Sequence, residues 1–499
     1  MFRQTILCHL HFTIVFIGAV NPAFIPKTNW FADAQKELQR SLRAQRNTNI
    51  AKNVILFVGD GMGVSTVSAA RILRGQLQGR PGEETVLEFE KFPHVGMSKT
   101  YANDLQTPDS ASTATAMMCG EKTNGYTVGV NDNVKVGNCS SQPGNELRCI
   151  TDWFQDEGRS SGVVTTTRVT HATPAAAYAK TPNRNWEGDS LMEGYPLEGC
   201  GKDIAHQLVF NSTLKVVMGG GRVFFRDNTT TDPEWDIPDF KRRDGLDLVA
   251  EWKKMNKHKR AKYVWNKAQF DKVDPSKTDH LLGLFEASHM NYELDRASDI
   301  AGEPSLAEMA EKAIKILRKD PKGFFLLVEG GRIDHGHHQN NAMRALHDVL
   351  VFEDAVKKAV QLTNEKETLI IVSADHSHVF TMAGYSLRGN DIFGMSNNPT
   401  KNFDMDGVPY TTLSYANGPG HRYGYRNISD VINSTSLDFK QETTVPLRSE
   451  THGGEDVAIY ARGPMSHLIH GVHEQHYIAH VMAYAACVGP SMCDRSGYK

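Results

Sequence analysis

The run Phe324-Phe325-Leu326-Leu327-Val328-Glu329-Gly330-Gly331-Arg332-Ile333-Asp334-His335-Gly336-His337-His338 divides into an apolar half and a polar half. Its first five residues are uninterruptedly apolar, as in a strand buried on both faces, and then give way to an acid, two glycines and a cluster of acid and imidazole side chains. Open parallel sheets bind their ligands at the carboxyl ends of strands, so the polar half stands where a site belongs. Asp334 and His338 are four residues apart; a helical turn would put both on one face, a common arrangement for two ligands of one metal. A hydrophobic core requires none of Asp334, His335, His337 and His338, and a His-rich surface turn is the plain alternative. The rest of the chain has to separate the two.

Other apolar runs meet polar residues in the same way. Asn53 to Val58 leads into Gly59-Asp60-Gly61-Met62-Gly63 and a helical pattern from Ser65 to Leu77, which is the strand, glycine turn and helix of a ligand-binding βα unit. A dinucleotide fingerprint would need Gly-x-Gly-x-x-Gly and a later acid. Here Asp60 sits inside the turn, where its carboxylate repels a pyrophosphate and suits a cation. Thr368 to Ser373 stops at Ala374-Asp375-His376-Ser377-His378, and Glu450-Thr451-His452-Gly453-Gly454-Glu455-Asp456 precedes the apolar run Val457 to Tyr460. Gly162 to Thr167 ends in Arg168-Val169-Thr170-His171-Ala172-Thr173-Pro174, with Arg184 beyond it. In Thr107-Pro108-Asp109-Ser110-Ala111-Ser112-Thr113-Ala114-Thr115-Ala116, Pro and Asp introduce small residues that begin a helix, with Ser110 near its N-terminus, where backbone N–H groups favour an anion. An ordinary N-cap explains the same pattern. Mixed Asp and His ligands without cysteine suit catalytic rather than structural zinc, and an all-oxygen subset suits magnesium.

Buried strands alternating with helical patterns predict an α/β fold, a central mostly parallel sheet flanked by helices on both faces. At 499 residues the chain exceeds a usual single core, and one large catalytic domain over 24–499 with inserted pieces is expected. Asp227 to Asp279 is polar and charged, consistent with a surface insertion, and Gly384 to Leu447 is rich in Gly, Asn, Tyr and Pro, a loop-rich inserted subdomain. Trp30 to Gln45 carries Phe31, Ala34, Leu38 and Leu42 at helical spacing, an amphipathic helix expected on the body or on a partner subunit.

A net charge of -3 without long runs of one sign leaves no electrostatic footprint for nucleic acid or anionic membrane. Arg3 followed by the mostly apolar Ile6 to Val20 predicts a secretory signal peptide over 1–23. No later stretch approaches the roughly 18 apolar residues of a membrane span, and the polar end Cys493-Asp494-Arg495-Ser496-Gly497-Tyr498-Lys499 offers no tail for a glycolipid anchor, so a soluble secreted form is expected. Glycosylation acceptors at Asn138, Asn211, Asn228, Asn427 and Asn433 agree with export. With Cys8 inside the signal, Cys119, Cys139, Cys149, Cys200, Cys487 and Cys493 remain, an even set, and the spacing of Cys487 and Cys493 suits a short loop closed by a disulfide.

Taken together the motifs resemble those of the animal alkaline phosphatases, from Val54 to Cys493. The resemblance implies one zinc on Asp334, His338 and His452, a second on Asp60, Asp375 and His376 that meets Ser110, and a magnesium on Asp60, Thr173 and Glu329. It implies a phosphate monoester hydrolase with broad substrate range at alkaline pH, in which Ser110 forms a phosphoserine and Arg184 clamps the phosphate. His171 and His335 stand where the animal enzymes carry His, and His171, His335 and His378 act without binding a metal directly. The family also suggests calcium on Glu234, the backbone oxygen of Phe285, Glu286 and Glu303, with two extra residues between Arg296 and Glu303 shifting the match. Its disulfides fall on Cys139 with Cys200 and Cys487 with Cys493; Cys149 has no counterpart, so Cys139 with Cys149 competes. The segment Gly384 to Leu447 corresponds to the family's variable crown, and the helix from Trp30 to the arm that grips a second subunit in a homodimer. A sulfatase would need Cys or Ser followed by Pro-x-Arg, which Ser110-Ala111-Ser112-Thr113-Ala114 lacks. A phosphodiesterase of the same superfamily, and an inactive secreted binding protein or receptor on this scaffold, are the alternatives.

Overall fold

The computed structural model describes residues 29–490 apart from 193, 195–198, 228, 235–241 and 397–404. The signal peptide, Asn228 and Cys493 therefore lie outside the described residues. A sheet of ten strands forms the centre. Its labelled strands are β1 (Asn53–Gly59), β2 (His94–Lys99), β3 (Ser160–Arg168), β4 (Val216–Gly220), β5 (Ala261–Val264), β6 (His280–Leu284), β7 (Phe324–Gly330) and β8 (Thr368–Ala374). The spatial order is Gly471–Glu474, β2, Val457–Arg462, β8, β1, β7, β3, β4, β6, β5. Val457–Arg462 alone runs antiparallel to its neighbours. The α/β class with a mostly parallel sheet is what the apolar runs predict.

Every residue of β1, β7 and β8 is buried, because helices cover both faces. Alternate residues feed two cores. Val54, Leu56, Val58, Phe325, Leu327, Leu369 and Ile371 pack with the helices Ser110–Cys119 and Tyr477–Ala486. Ile55, Phe57, Leu326, Val328, Ile370 and Val372 pack with Val64–Gln76, Leu306–Leu317 and Ala342–Leu362. Each large buried side chain contributes roughly 1.5–3 kcal/mol of transfer free energy, which fixes the central strands in register.

That register positions the site. Val58 pairs with Glu329 and Gly59 with Gly330 on one side, while Gly59 pairs with Ala374 on the other. Asp60 and Asp375, each the next residue along, leave the sheet side by side with Glu329 at the same level. Across β7, Thr165 of β3 pairs with Glu329. The two-stranded ladder of His452–Gly453 with Ser377–His378 then draws His452 to the same edge.

Three expectations change. The segment 227–279 is not merely a surface insertion, since Ala261–Val264 forms the outermost strand of the main sheet. Cys149 bonds to Cys119 and not to Cys139, which pairs with Cys200; Cys487 is disulfide-bonded, but its expected partner Cys493 is not described. The helix at Trp30 ends at Leu42 and buries none of its residues against the body. Within 384–447, Leu413–Gly418 and Thr443–Pro446 join Phe380–Met382 in a small separate sheet.

Candidate active site

Ser110 is the first residue of a ten-residue helix whose every residue is buried. Asp109 is the N-cap, accepting the Ala111 amide at 3.1 Å and the Ser112 amide at 3.3 Å, so the plain N-cap reading belongs to Asp109 and leaves the Ser110 hydroxyl for other work. Ser110 Oγ lies 3.2 Å from His376 Nε2 and 3.5 Å from Asp60 Oδ1. Asp109 also binds Arg184 at 3.1 Å, and the Arg184 guanidinium donates to His171 Nε2 at 2.9 Å. Against its burial, Arg184 and the amides of Tyr126 and Ala111 hold the Asp109 carboxyl below its usual range. A cleft of about 310 Å³ is lined by Ser110, Arg184, Asp334, His338 and His452, among others.

Asp60 occupies a turn that only glycine can complete. Gly61 has φ +68°, and a Cβ there would come within 2.3 Å of His378 Nε2. The Gly61 amide donates to Asp375 Oδ1 at 2.9 Å, and Asp375 Oδ2 lies 3.2 Å from His376 Nε2. Burial, then the charges of Asp375, Asp334 and Glu329, pushes the Asp60 carboxyl well above its usual range. Glu329 Oε2 accepts the Thr165 hydroxyl and, at 3.1 Å, the Thr167 hydroxyl. Burial, reinforced by Asp375, pushes Glu329 up to about 7 against those hydrogen bonds.

Three buried oxygens in this half have no protein partner: Asp60 Oδ2, Glu329 Oε1 and Thr173 Oγ1. Unpaired buried carboxylate oxygens are costly unless a cation meets them. An all-oxygen set fits a hard cation such as magnesium.

The other half is built from imidazoles. Helix Arg332–His338 places Asp334 and His338 one turn apart, with His338 Nε2 3.3 Å from Asp334 Oδ1. His452 Nε2 reaches the same oxygen at 3.4 Å and His338 Nε2 at 3.2 Å. Backbone carbonyls orient both rings: Glu450 O lies 2.6 Å from His338 Nδ1, and Pro108 O lies 2.8 Å from His452 Nδ1. Rings fixed through Nδ1 with Nε2 aimed at a carboxylate form a donor set that fits zinc. His378 bridges Asp334 Oδ1 at 2.8 Å and Glu450 Oε2 at 2.5 Å; although burial opposes it, these two carboxylates push His378 up to about 10. Asp334 is in turn held well below its usual range by His338, His378 and His452 despite its burial.

His335 and His171 line the cleft, whereas His337 turns away from it. His337 is buried between the Thr66 hydroxyl at 3.0 Å and the Tyr415 hydroxyl at 2.8 Å, a satisfied core histidine. Glu450, Asp109, Thr165, Thr167 and His289, whose ring centroid is 4.3 Å from that of His335, escape sequence reasoning. The available signals were the acid two residues before His452 and the threonine run closing β3.

A separate group of carboxylates comprises Glu234, Glu286 and Glu303. Burial and the neighbouring Glu286 push Glu303 up to about 9. Burial, with Glu286 adding to it, pushes Glu234 up to about 7 although Arg222 bonds to it.

A family model described as alkaline phosphatase matches residues 51–488. The chain belongs to the alkaline phosphatase family. It is thereby an enzyme, a phosphoric monoester hydrolase. It is 50% identical to the tissue-nonspecific alkaline phosphatase of Rattus norvegicus over 498 residues, covering 97% of this chain and 94% of the relative. It is 51% identical to the Homo sapiens isozyme of that name, covering 93% and 89%, and 49% identical to an alkaline phosphatase of Gadus morhua, covering 92% and 97%. Among solved structures, the alkaline phosphatase of Thermus thermophilus superposes with a TM-score of 0.63 at 23% identity, over 88% of this chain and 92% of that one, a likeness of fold. No helix among the described residues is long and apolar enough to cross a membrane.

Proposed function

We propose that this alkaline phosphatase hydrolyses phosphate monoesters through a phosphoserine on Ser110, with two zinc ions and one magnesium. The observation that carries this reading is the position of Ser110 Oγ, at a helix N-terminus, 3.2 Å from His376 Nε2 and 3.5 Å from Asp60 Oδ1, in the same cleft as Arg184. Asp334, His338 and His452 would hold one zinc; Asp60, Asp375 and His376 the other; Asp60, Thr173 and Glu329 the magnesium. Bound there, the zinc pair supplies the positive charge that acidifies the serine hydroxyl and the attacking water and steadies the leaving oxygen.

The protein's own groups do the rest. Arg184, held by Asp109 and His171, presents two N–H groups to two phosphate oxygens, and the amides at the N-terminus of the Ser110 helix favour the same charge. Ser110 Oγ, having lost its proton, attacks phosphorus; the P–O bond to the substrate breaks and the alcohol leaves with a proton. Water then attacks the phosphoserine from the opposite side, the Ser110–phosphate bond breaks, and inorganic phosphate and the hydroxyl are regenerated. His335 and His171 complete the phosphate's surroundings without a lysine, which favours release of product and a broad substrate range at alkaline pH. Brief exposure to labelled phosphate monoester followed by acid quench and peptide mass spectrometry would place the label on Ser110. Ser110→Ala should lose chromogenic monoester hydrolysis, and full activity in that variant would remove Ser110 as nucleophile.

Further readings rest on other observations. Trp30, Phe31 and Leu42 are 61%, 76% and 70% exposed, too much apolar surface for one helix to leave in water, so we assign the helix Trp30–Leu42 to the surface of a second copy in a homodimer. Light scattering after deletion of residues 30–42 tests it, with a monomer expected. Asn138, Asn211, Asn427 and Asn433 are exposed, which supports glycosylation and secretion. Glu234, Glu286 and Glu303, with the backbone oxygen of Phe285, form the calcium site.

A further inference from the structure

Asp299 follows the short helical turn Arg296–Ser298 and precedes Glu303 by four residues, in the part of the chain where the family match shifts. Its Oδ1 accepts the Ala301 amide at 3.0 Å, while its Oδ2 is buried with no hydrogen-bond partner. Glu303, only 2% exposed, is arranged alike: Oε1 accepts the Asn291 amide at 2.8 Å, and Oε2 is buried with no partner. The Asp299 carboxylate stands against that of Glu234, and its charge bears on Glu303, which also faces Glu286.

The nearby cations relieve this crowding at Glu234 alone, and neither donates to the Asp299 or Glu303 carboxylate. Arg222 forks Asp232 through Nε at 3.0 Å and Nη2 at 2.9 Å while also touching Glu234. Arg296 forks Glu293 through Nε at 2.9 Å and Nη2 at 2.7 Å. Two buried carboxylate oxygens without donors, beside two further carboxylates, call for a cation that accepts about six to eight oxygen ligands, which is the habit of calcium.

We infer that Asp299 is a direct ligand of the cation held by Glu234, Glu286 and Glu303, so that this chain binds it with four carboxylates. The inference rests on the reading of that group as a calcium site. Asp299 lies in the stretch between Arg296 and Glu303, where the family resemblance implies two extra residues.

The test is a calcium titration of the zinc- and magnesium-loaded enzyme by calorimetry, with melting temperature followed in parallel. The unaltered protein should bind one calcium per subunit and melt higher with it. Asp299→Asn should bind about tenfold more weakly, with a smaller calcium-induced rise in melting temperature but an unchanged calcium-free melt. Asp299→Glu, which keeps the charge and displaces the carboxylate, should also bind more weakly, as a ligand would and a remote charge would not. Glu303→Gln, expected to lose binding, separates the two readings. If Glu303→Gln loses binding while Asp299→Asn matches the unaltered protein, Asp299 is no ligand and the calcium site stands. If Asp299→Glu matches it while Asp299→Asn does not, Asp299 acts by charge alone and the inference is overturned. If the unaltered protein takes up no calcium, the calcium reading and the inference fall together.

Discussion

On one side of the cleft the Nε2 atoms of His338, His378 and His452 converge on a single oxygen of Asp334; on the other, Asp60, Glu329 and Asp375 crowd together, and Asp60 Oδ2 and Glu329 Oε1 meet no protein donor. The first half is balanced within the protein, and Asp334 stays ionised well below its usual range because imidazoles surround it. The second is unbalanced: Asp60 is driven upward by burial and then by the charges of Asp375, Asp334 and Glu329, and Glu329 by burial and then by Asp375. The oxygen half is delivered by neighbouring strands β1, β7 and β8 of the main sheet, the imidazole half by the helix Arg332–His338 and the separate ladder of His452–Gly453 with Ser377–His378. The contrast therefore lies in donor chemistry, borderline-soft nitrogen against hard oxygen, and on the proposed reading it separates the zinc of Asp334, His338 and His452 from the magnesium of Asp60, Thr173 and Glu329.

Breaking the imidazole half should have the largest effect. On the proposed reading, alanine at His338 would remove one nitrogen ligand and leave Asp334 facing one fewer imidazole, so kcat should fall by about a thousandfold or more, with one zinc lost per subunit by elemental analysis. Retention of both zinc ions in that variant would end the assignment of His338. Glu329→Gln attacks the oxygen half. We expect magnesium to be lost while both zinc ions remain, with kcat falling about a hundredfold, and loss of zinc alongside magnesium would mean that the halves are not separable.

A smaller effect is expected one step from the metal. Glu450 orients two imidazoles at once, His338 through its carbonyl and His378 through its carboxylate. Glu450→Gln keeps the carbonyl and the shape but weakens the hold on His378, which should cost about tenfold to a hundredfold in zinc affinity, measured by competition with a chelator. An unchanged affinity would reduce Glu450 to a structural residue.

The mildest test is pH. Glu329 is raised from an ordinary 4.5 to about 7, first by burial, so the metal-free fold holds a proton there that the unfolded chain has released. Stability of the metal-free protein should therefore fall between about pH 4.5 and 7 and level off above. Magnesium bound at Glu329 would displace the same proton, so its apparent affinity should climb by at most about tenfold per pH unit up to 7 and flatten beyond. A magnesium titration that shows no such slope would take Glu329 out of the set.

How much of this could be read from the chain depends on the distance over which each residue acts. Strands β1, β7 and β8 are visible because burial on both faces writes itself as a continuous apolar run, and the acids closing those runs are visible as interruptions. Asp334 and His338 are visible because one helical turn is a local fact. Glu450 is not, because its bonds to His338 and His378 cross 112 and 72 residues of chain and leave no period. The partnership of Cys119 with Cys149 is equally silent, for an even cysteine count does not carry connectivity. His337 shows the converse: it stands in the acid and imidazole cluster that no hydrophobic core is expected to require, yet Thr66 and Tyr415 satisfy it in the core. Ala261–Val264 was hidden by composition, since an edge strand with only one buried residue reads as polar surface.

Anomalous X-ray diffraction from crystals grown with zinc and magnesium, collected on either side of the zinc edge, separates the halves most directly. Two zinc peaks are expected per subunit, one among Asp334, His338 and His452 and one among Asp60, Asp375 and His376, with an ion lacking that signal beside Glu329 and Thr173. A zinc peak of full height between Glu329 and Thr173, or none at His338 and His452, would contradict the division of the cleft into a nitrogen half and an oxygen half.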